Sequence, residues 1–254
     1  MSERNGTADP FQLSGTTIAG KYSVGQVVGS GGFGVVYRGL HEGFGEPIAI
    51  KCLHVAEHLN ASQRGDLLDR LQDEGRVLHR LSKLTAGIVQ ALDVGAVAAP
   101  SGQWVPYLVL EWIEGETLAE HMEARGARNE KGMGLHDAVE LLEPAARALA
   151  IAHRQKVAHR DVKPENLCLT EVSGQRTVKI LDFGIAKVLA SHTEFTAAPA
   201  ATERRTSVFT PRYGAPEQFN KKRGATGPWT DVFALALILV EVASGRRALD
   251  GDDA

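Results

Sequence analysis

The sequence predicts an α+β fold, with strands gathered in its first part and helices in most of the rest. Three observations carry that prediction. Tyr22–Val28, Val35–Tyr37 and Ile48–Ile50 are short, β-branched or loosely alternating segments set off by glycine-bearing turns, as strands are. Gln63 to Leu84 and Leu135 to Gln155 place apolar side chains at largely helical spacing, and an apolar helix follows from Thr230 to about Ala243. The 254 residues, 43% hydrophobic and 23% charged, suffice for a sizeable core in one large domain or two small ones.

Composition narrows the function. A net charge of −3 makes no electrostatic case for nucleic acid or an anionic membrane surface. Cys52 and Cys168 stand far apart without further metal ligands at suitable spacing, so neither a disulfide framework nor a zinc site is expected, and a reducing cytoplasm fits. Met1 to Pro10 has no apolar stretch of a secretory signal. The most apolar run, Val232 to Val240, is too short to span a bilayer.

In chain order, residues 1–20 read as a flexible lead-in. The first strand runs into Gly29-Ser30-Gly31-Gly32-Phe33-Gly34-Val35-Val36-Tyr37. A lone G-x-G-x-x-G fits a dinucleotide site or a plain hairpin. Here β-branched residues continue as a strand where a dinucleotide turn would open a helix, and Lys51 stands near the place of its acidic ribose ligand. Such a hairpin lets backbone N–H groups approach phosphates, because glycine has no Cβ to block them. Ile48-Ala49-Ile50-Lys51 is a strand ending in lysine. In the helix over 63–84, with Asn60 or Ser62 as N-cap, Glu74 lies mid-helix with Leu78 one turn later on its face.

Strands are expected at Ile88–Val94 and Tyr107–Leu110, joined by a turn at 98–103. Glu111 to Gly115 reads as a strand edge and loop. A short helix runs from Thr117 to about Ala127. The helix over 135–155 contains Pro144, which should bend it or cost about 3 kcal/mol if held straight. His159-Arg160-Asp161-Val162-Lys163-Pro164-Glu165-Asn166 then sets an acid, a base and an amide within one loop. A hairpin around Gly174 ends in Asp182-Phe183-Gly184. Ser191 to Ser207 lacks periodicity and should be mobile, and Thr210 to Glu217 closes that segment. Asp231 reads as an N-cap of the last helix, which stops at Gly245.

The loop from His159 to Asn166 resembles the H-R-D-x-K-x-x-N catalytic loop of the protein-kinase superfamily. Five residue types at that spacing arise by chance on the order of once in several million positions. The glycine hairpin, the A-I-K strand, D-F-G and Ala215-Pro216-Glu217 follow the same family in order, from about Tyr22 to Gly245. Lys163 and Thr210 are similar to the Ser/Thr branch, and the glycine and D-F-G segments resemble its bacterial members.

That resemblance implies a bilobal fold: a β-rich N-lobe (21–110), a hinge (111–115) and a helical C-lobe (116–254) truncated after the helix starting at Asp231, which would leave Glu217 without an arginine partner. It implies ATP and Mg²⁺. Gly29, Ser30, Gly31, Gly32, Phe33 and Gly34 would cover the phosphates, and Lys51, paired with Glu74 in competition with Asp73 and Glu57, would hold them. Val36, Ala49, the gatekeeper Leu110, Glu111, Ile113 and Cys168 belong to the nucleotide site, with Cys168 beneath the adenine. For the ribose, Glu116 and Thr117 lie near without matching. Asp161 would be the base, Lys163 would meet the γ-phosphate, and Asn166 and Asp182 would bind metal.

His159 would contact Phe183, and Asp231 would hold the loop's backbone. Arg160 implies activation by a phosphate on Thr196, Thr202, Thr206 or Ser207. Partners are then protein substrates with Ser/Thr acceptors and a second copy during autophosphorylation, without nucleic acid or a membrane segment. A nucleotide-binding pseudokinase or scaffold, or an inactive fragment needing completion, is the alternative. Small-molecule kinases are disfavoured by Lys163, Thr210 and A-P-E.

Overall fold

The computed structural model describes residues 8–32, 34–172, 174–183 and 211–249. Phe33, Gly184, Thr210 and the candidate phosphate acceptors Thr196, Thr202, Thr206 and Ser207 lie outside them. The described chain divides into two units.

Unit 1 takes the residues up to Arg80 and Gln90–Trp112. Its antiparallel sheet has six strands in the order β1-β2-β3-β4-β6-β5: β1 Thr17–Ile18, β2 Tyr22–Gly31, β3 Gly34–His41, β4 Glu46–Leu53, β5 Ala91–Ala98 and β6 Trp104–Glu111. Strand alternation sorts the side chains by face. Val35, Tyr37, Ile48, Ile50, Cys52 and Val109 go into one core cluster. The register Val36↔Lys51↔Leu108 and Ala49↔Leu110 puts the other set on the opposite face.

The lead-in reading fails for the described part of 1–20. Phe11, Leu13 and Ile18 are buried in that same cluster, and β1 pairs with β2. Asp9 anchors the segment, accepting from Tyr37 Oη at 2.6 Å and Ser14 N at 2.9 Å. Three apolar residues without periodicity gave no strand or helix signal, yet they cover a face that would otherwise be wet.

The helix α1 (Ala61–Leu84) begins at Asn60, not Ser62. Asn60 Oδ1 accepts from Gln63 N, and Gln63 Oε1 accepts from Asn60 N, both at 3.0 Å, a reciprocal cap. Gly75 brings α1 close to the sheet, for a Cβ there would lie 2.6 Å from Val94 Cγ2. Strand β5 starts later than expected. Ile88 instead bridges Ile180, and Val89 N donates to Ile180 O at 3.0 Å, which ties 81–89 to unit 2.

Unit 2 takes Leu81–Val89 and the described residues from Ile113 onward. It holds a three-stranded sheet, β7 (Gly115–Thr117), β8 (Leu167–Val172) and β9 (Gln175–Ile180). Four α-helices join it: α2 (Leu118–Ala127), α3 (Leu135–Arg154), the single turn α4 (Pro216–Phe219) and α5 (Pro228–Ser244). Thr117 and Glu120 close a capping box on α2. Pro144 sits inside a continuous α3, whose buried stripe is Ala138, Leu142, Ala145, Ala148, Leu149 and Ala152. The small stripe admits Gly87, where a Cβ would meet Ala148 Cβ at 2.9 Å.

Helix α5 starts two residues before the expected Thr230, with Pro228 in its first turn, where a missing N–H is harmless. Asp231 is therefore inside the helix rather than its N-cap. Gly245 ends it with φ +68°, the left-handed cap.

Candidate functional site

In unit 1 the glycine hairpin is the β2–β3 turn, paired through Gly29↔Val36 and Gly31↔Gly34. Its glycines differ in purpose. A Cβ on Gly34 would strike Cys52 O at 2.1 Å, so this glycine lets β3 lie against β4. Around Gly31 and Gly32 there is open space, so their backbone stays approachable. Lys51 is 9% exposed and shares a sheet face with Val36, Ala49, Leu108 and Leu110.

Among the carboxylates considered for Lys51, Asp73 pairs with Arg76 at 2.7 Å and Glu57 accepts from Gln103 Nε2 at 2.9 Å. Glu74 is half-buried on α1 beside Gly75, with buried Leu78 one turn on. Glu111 is still in β6, facing Ile48, and its N donates to Gln90 O at 3.0 Å. Leu110 is buried.

In unit 2 the loop after α3 gathers its functional groups by hydrogen bonds. Lys163 Nζ lies 3.0 Å from Asp161 Oδ2. Asn166, buried in the short 3-10 turn Pro164–Asn166, donates from Nδ2 to Asp161 O at 2.8 Å and lies 3.4 Å from Asp161 Oδ2. The carbonyl can only accept, which fixes the amide: Nδ2 faces Asp161 and Oδ1 points elsewhere. His159 donates from Nε2 to Leu181 O at 2.7 Å, while its Nδ1 accepts from Asp161 N at 3.2 Å. Those partners select the neutral Nε2–H tautomer. Its ring meets Phe183 edge-on at 4.6 Å. The ring thereby ties the Asp161 loop to the strand end that carries Asp182.

Two residues here hold left-handed backbone, Arg160 (φ +68°) and Asp182 (φ +58°). For residues with a Cβ such conformations cost about 1–3 kcal/mol and persist only when neighbours over-determine them. Arg160 is held from both sides. Asp231, fully buried, accepts from Arg160 N at 2.6 Å and His159 N at 2.8 Å, and Gln218 donates to Arg160 O at 2.9 Å. The same Asp231 carboxylate meets His153 Nε2 at 2.7 Å.

Cys168 is buried on β8, where burial foremost pushes its thiol up to about 11. Burial also pushes Cys52 up to about 12. Both thiols stay protonated at neutral pH and act as small hydrophobes. Ile113 is half-buried.

Glu217 Oε1 accepts from Thr230 Oγ1 at 2.6 Å. Sequence reasoning also missed His153, Gln218 and the group Arg212–Tyr213–Glu241, in which the buried Glu241 pairs with Arg212 and accepts from Tyr213 Oη at 2.9 Å. Only the helical placement of Glu241 amid an apolar run hinted at a buried carboxylate. Among the described residues no His, Cys, Asp and Glu group of three or more could hold a metal, and no helix is long and apolar enough to cross a membrane.

A family model described as the protein kinase domain matches residues 22–254. The chain is 34% identical over 251 residues to serine/threonine-protein kinase PknL of Mycobacterium bovis, covering 98% of this chain and 55% of the relative. It is 33% identical over 240 residues to serine/threonine-protein kinase PknA of Mycobacterium tuberculosis, covering 94% and 50%. The chain spans about half the length of the curated relatives it matches.

Proposed function

Because the chain belongs to the protein kinase domain family, we propose that it uses ATP to phosphorylate serine and threonine hydroxyls of protein substrates. One observation carries the reading: Lys163 and Asn166 converge on Asp161 in a loop whose strained backbone is pinned by a buried aspartate.

In this reading Asp161 takes the hydroxyl proton as the substrate oxygen bonds to the γ-phosphorus and the bond to the β-phosphate oxygen breaks. Lys163 places a cation where charge builds on the transferring group. Asn166 Oδ1 and the Asp182 carboxylate are hard oxygen donors that fit Mg²⁺. Bound Mg²⁺ supplies neutralisation of phosphate charge. On unit 1, Lys51 steadied by Glu74 takes the α/β-phosphates, and the N–H groups of Gly29–Gly34 cover them. Val36, Ala49, Leu110, Glu111, Ile113 and Cys168 border the base. The N-lobe, hinge and C-lobe are assigned to 21–110, 111–115 and 116–254.

Lys163 and the names of the relatives support the Ser/Thr choice. A reducing cytoplasm as the place of work fits two buried cysteines that carry no disulfide. Arg160 Nε is buried with no hydrogen-bond partner among the described residues, which supports its reading as a receiver for a phosphate on Thr206 or Ser207, added by a second copy.

Transfer of labelled γ-phosphate to a generic protein substrate, followed by phosphoamino-acid analysis, tests the proposal. Phosphoserine and phosphothreonine are expected, and Lys51→Met should abolish them. Mg·ATP binding without any transfer would favour the scaffold reading.

A further inference from the structure

Two dipeptides of unit 2 meet behind the Asp161 loop. Glu217-Gln218 lies in the single turn α4, and Thr230-Asp231 lies in the first turn of α5. They are joined directly: Thr230 Oγ1 donates to Glu217 Oε1 at 2.6 Å and accepts from Gly227 N at 3.0 Å. Each dipeptide then sends one side chain to Arg160. Asp231 accepts its N–H at 2.6 Å, and Gln218 Nε2 donates to its carbonyl at 2.9 Å. The peptide groups on both sides of one left-handed residue are therefore gripped from a single joined support.

Gln218 does more than hold Arg160. Its Oε1 accepts from Ala215 N at 3.0 Å, and Ala215 is the fully buried residue that opens α4. A backbone N–H only donates and a carbonyl only accepts, so these two contacts fix the amide's orientation and occupy both of its ends. The side chain is a bridge, with the 213–218 turn at one end and the residue before Asp161 at the other. Arg160 O belongs to the peptide that leads into Asp161, so loss of that bond frees the peptide from which the Asp161 side chain springs. We propose that Gln218 is a positioning residue for Asp161, its amide making the aim of that carboxylate depend on the 213–218 turn being folded. The task of Asp161 rests on the kinase reading, whereas the bridge does not.

Two variants separate the ends of the bridge. Gln218→Met keeps the length and loses both bonds. Gln218→Glu, when ionised, keeps the acceptor for Ala215 N and loses the donor to Arg160 O; when protonated it can donate again. At pH 8 kcat for peptide phosphorylation should fall about tenfold in both variants, the worth of one buried hydrogen bond, with KM for ATP within about twofold of wild type. A carboxylate held against a carbonyl oxygen takes up a proton more readily than a free one. Between pH 8 and pH 5.5 the kcat of Gln218→Glu, divided by that of wild type, should therefore climb back toward one, while the ratio for Gln218→Met stays flat. Wild-type kcat in Gln218→Glu at pH 8, or parallel pH profiles for the two variants, overturns the proposal.

Amide hydrogen exchange over residues 157–163 reads the bridge without turnover. Protection of the His159 and Arg160 N–H groups should fall about tenfold in Gln218→Met, because their acceptor holds a peptide no longer fixed from the other side. If Gln218→Met does not fold, Gln218→Glu at pH 8 carries the same measurement. Protection equal to that of wild type overturns the proposal. Faster exchange in the variant with no phosphate transfer by wild type would keep the bridge and sink the kinase reading.

Discussion

The carboxylate of Asp231 meets His153 Nε2 at 2.7 Å while holding the N–H groups of His159 and Arg160, so helix α3 and the loop after it are fastened to one buried point on α5. Asp231→Ala leaves two buried N–H groups without acceptors, each worth about 1–3 kcal/mol. A loss of about 2–5 kcal/mol in urea unfolding is expected, together with a fall in kcat as Arg160 relaxes from its left-handed backbone. His153→Ala should cost less, about 1 kcal/mol, since it removes one acceptor's partner and leaves the loop's N–H groups held. Equal losses for the two variants would contradict the ranking.

The N-terminal segment makes a separate prediction. Tyr37 is fully buried and its hydroxyl rests on Asp9. Asp9→Ala strands that hydroxyl and should destabilise by about 1–3 kcal/mol, while Tyr37→Phe in the Asp9→Ala background should recover part of the loss. A double-mutant cycle by denaturant unfolding measures the coupling. Zero coupling would mean the segment is not fastened through this bond.

Two glycines of α1 should respond with opposite sign. At Gly75 an added Cβ meets Val94 Cγ2 at 2.6 Å, whereas at Gly65 nothing lies within 4 Å. Gly75→Ala is expected to push α1 off β5, cost about 1–3 kcal/mol and raise the KM for ATP by displacing Glu74. Gly65→Ala should instead stabilise by about 0.5–1 kcal/mol through helix propensity, with KM unchanged. Melting curves and ATP titrations of both variants check the pair.

The thiols give a pH prediction. Burial pushes Cys52 up to about 12 and Cys168 up to about 11, from an ordinary value of 9.0. With folded values above unfolded ones, the unfolded chain loses these protons first as pH rises. Their stabilising contribution is full below about pH 9 and declines through pH 11–12, because the unfolded state then binds fewer protons. The urea midpoint should therefore fall between pH 8.5 and 10.5 more steeply in wild type than in Cys52→Ala. At pH 8, iodoacetamide should label neither thiol until the protein is unfolded.

Much of the proposed catalytic apparatus was legible because it is local. Asp161, Lys163 and Asn166 lie in one loop, and the glycine hairpin and Lys51 lie on neighbouring strands whose alternation reads directly from the sequence. What escaped was long-range. Of the two roles expected of Asp231, holding the backbone of the loop is met, whereas the cap reading fails because Pro228 starts the helix earlier and places Asp231 inside it. That the Thr230 hydroxyl meets Glu217 gave no signal in the sequence. Phe11, Leu13 and Ile18 follow no period and therefore looked like part of a lead-in.

We propose that Asp161 handles the proton of the substrate hydroxyl. Single-turnover phosphate transfer and Mg·ATP affinity, compared between wild type and Asp161→Asn, test it most directly. A transfer rate lower by about 10²–10⁴-fold is expected in the variant, with nucleotide affinity nearly unchanged. Equal transfer rates in the two proteins would contradict it.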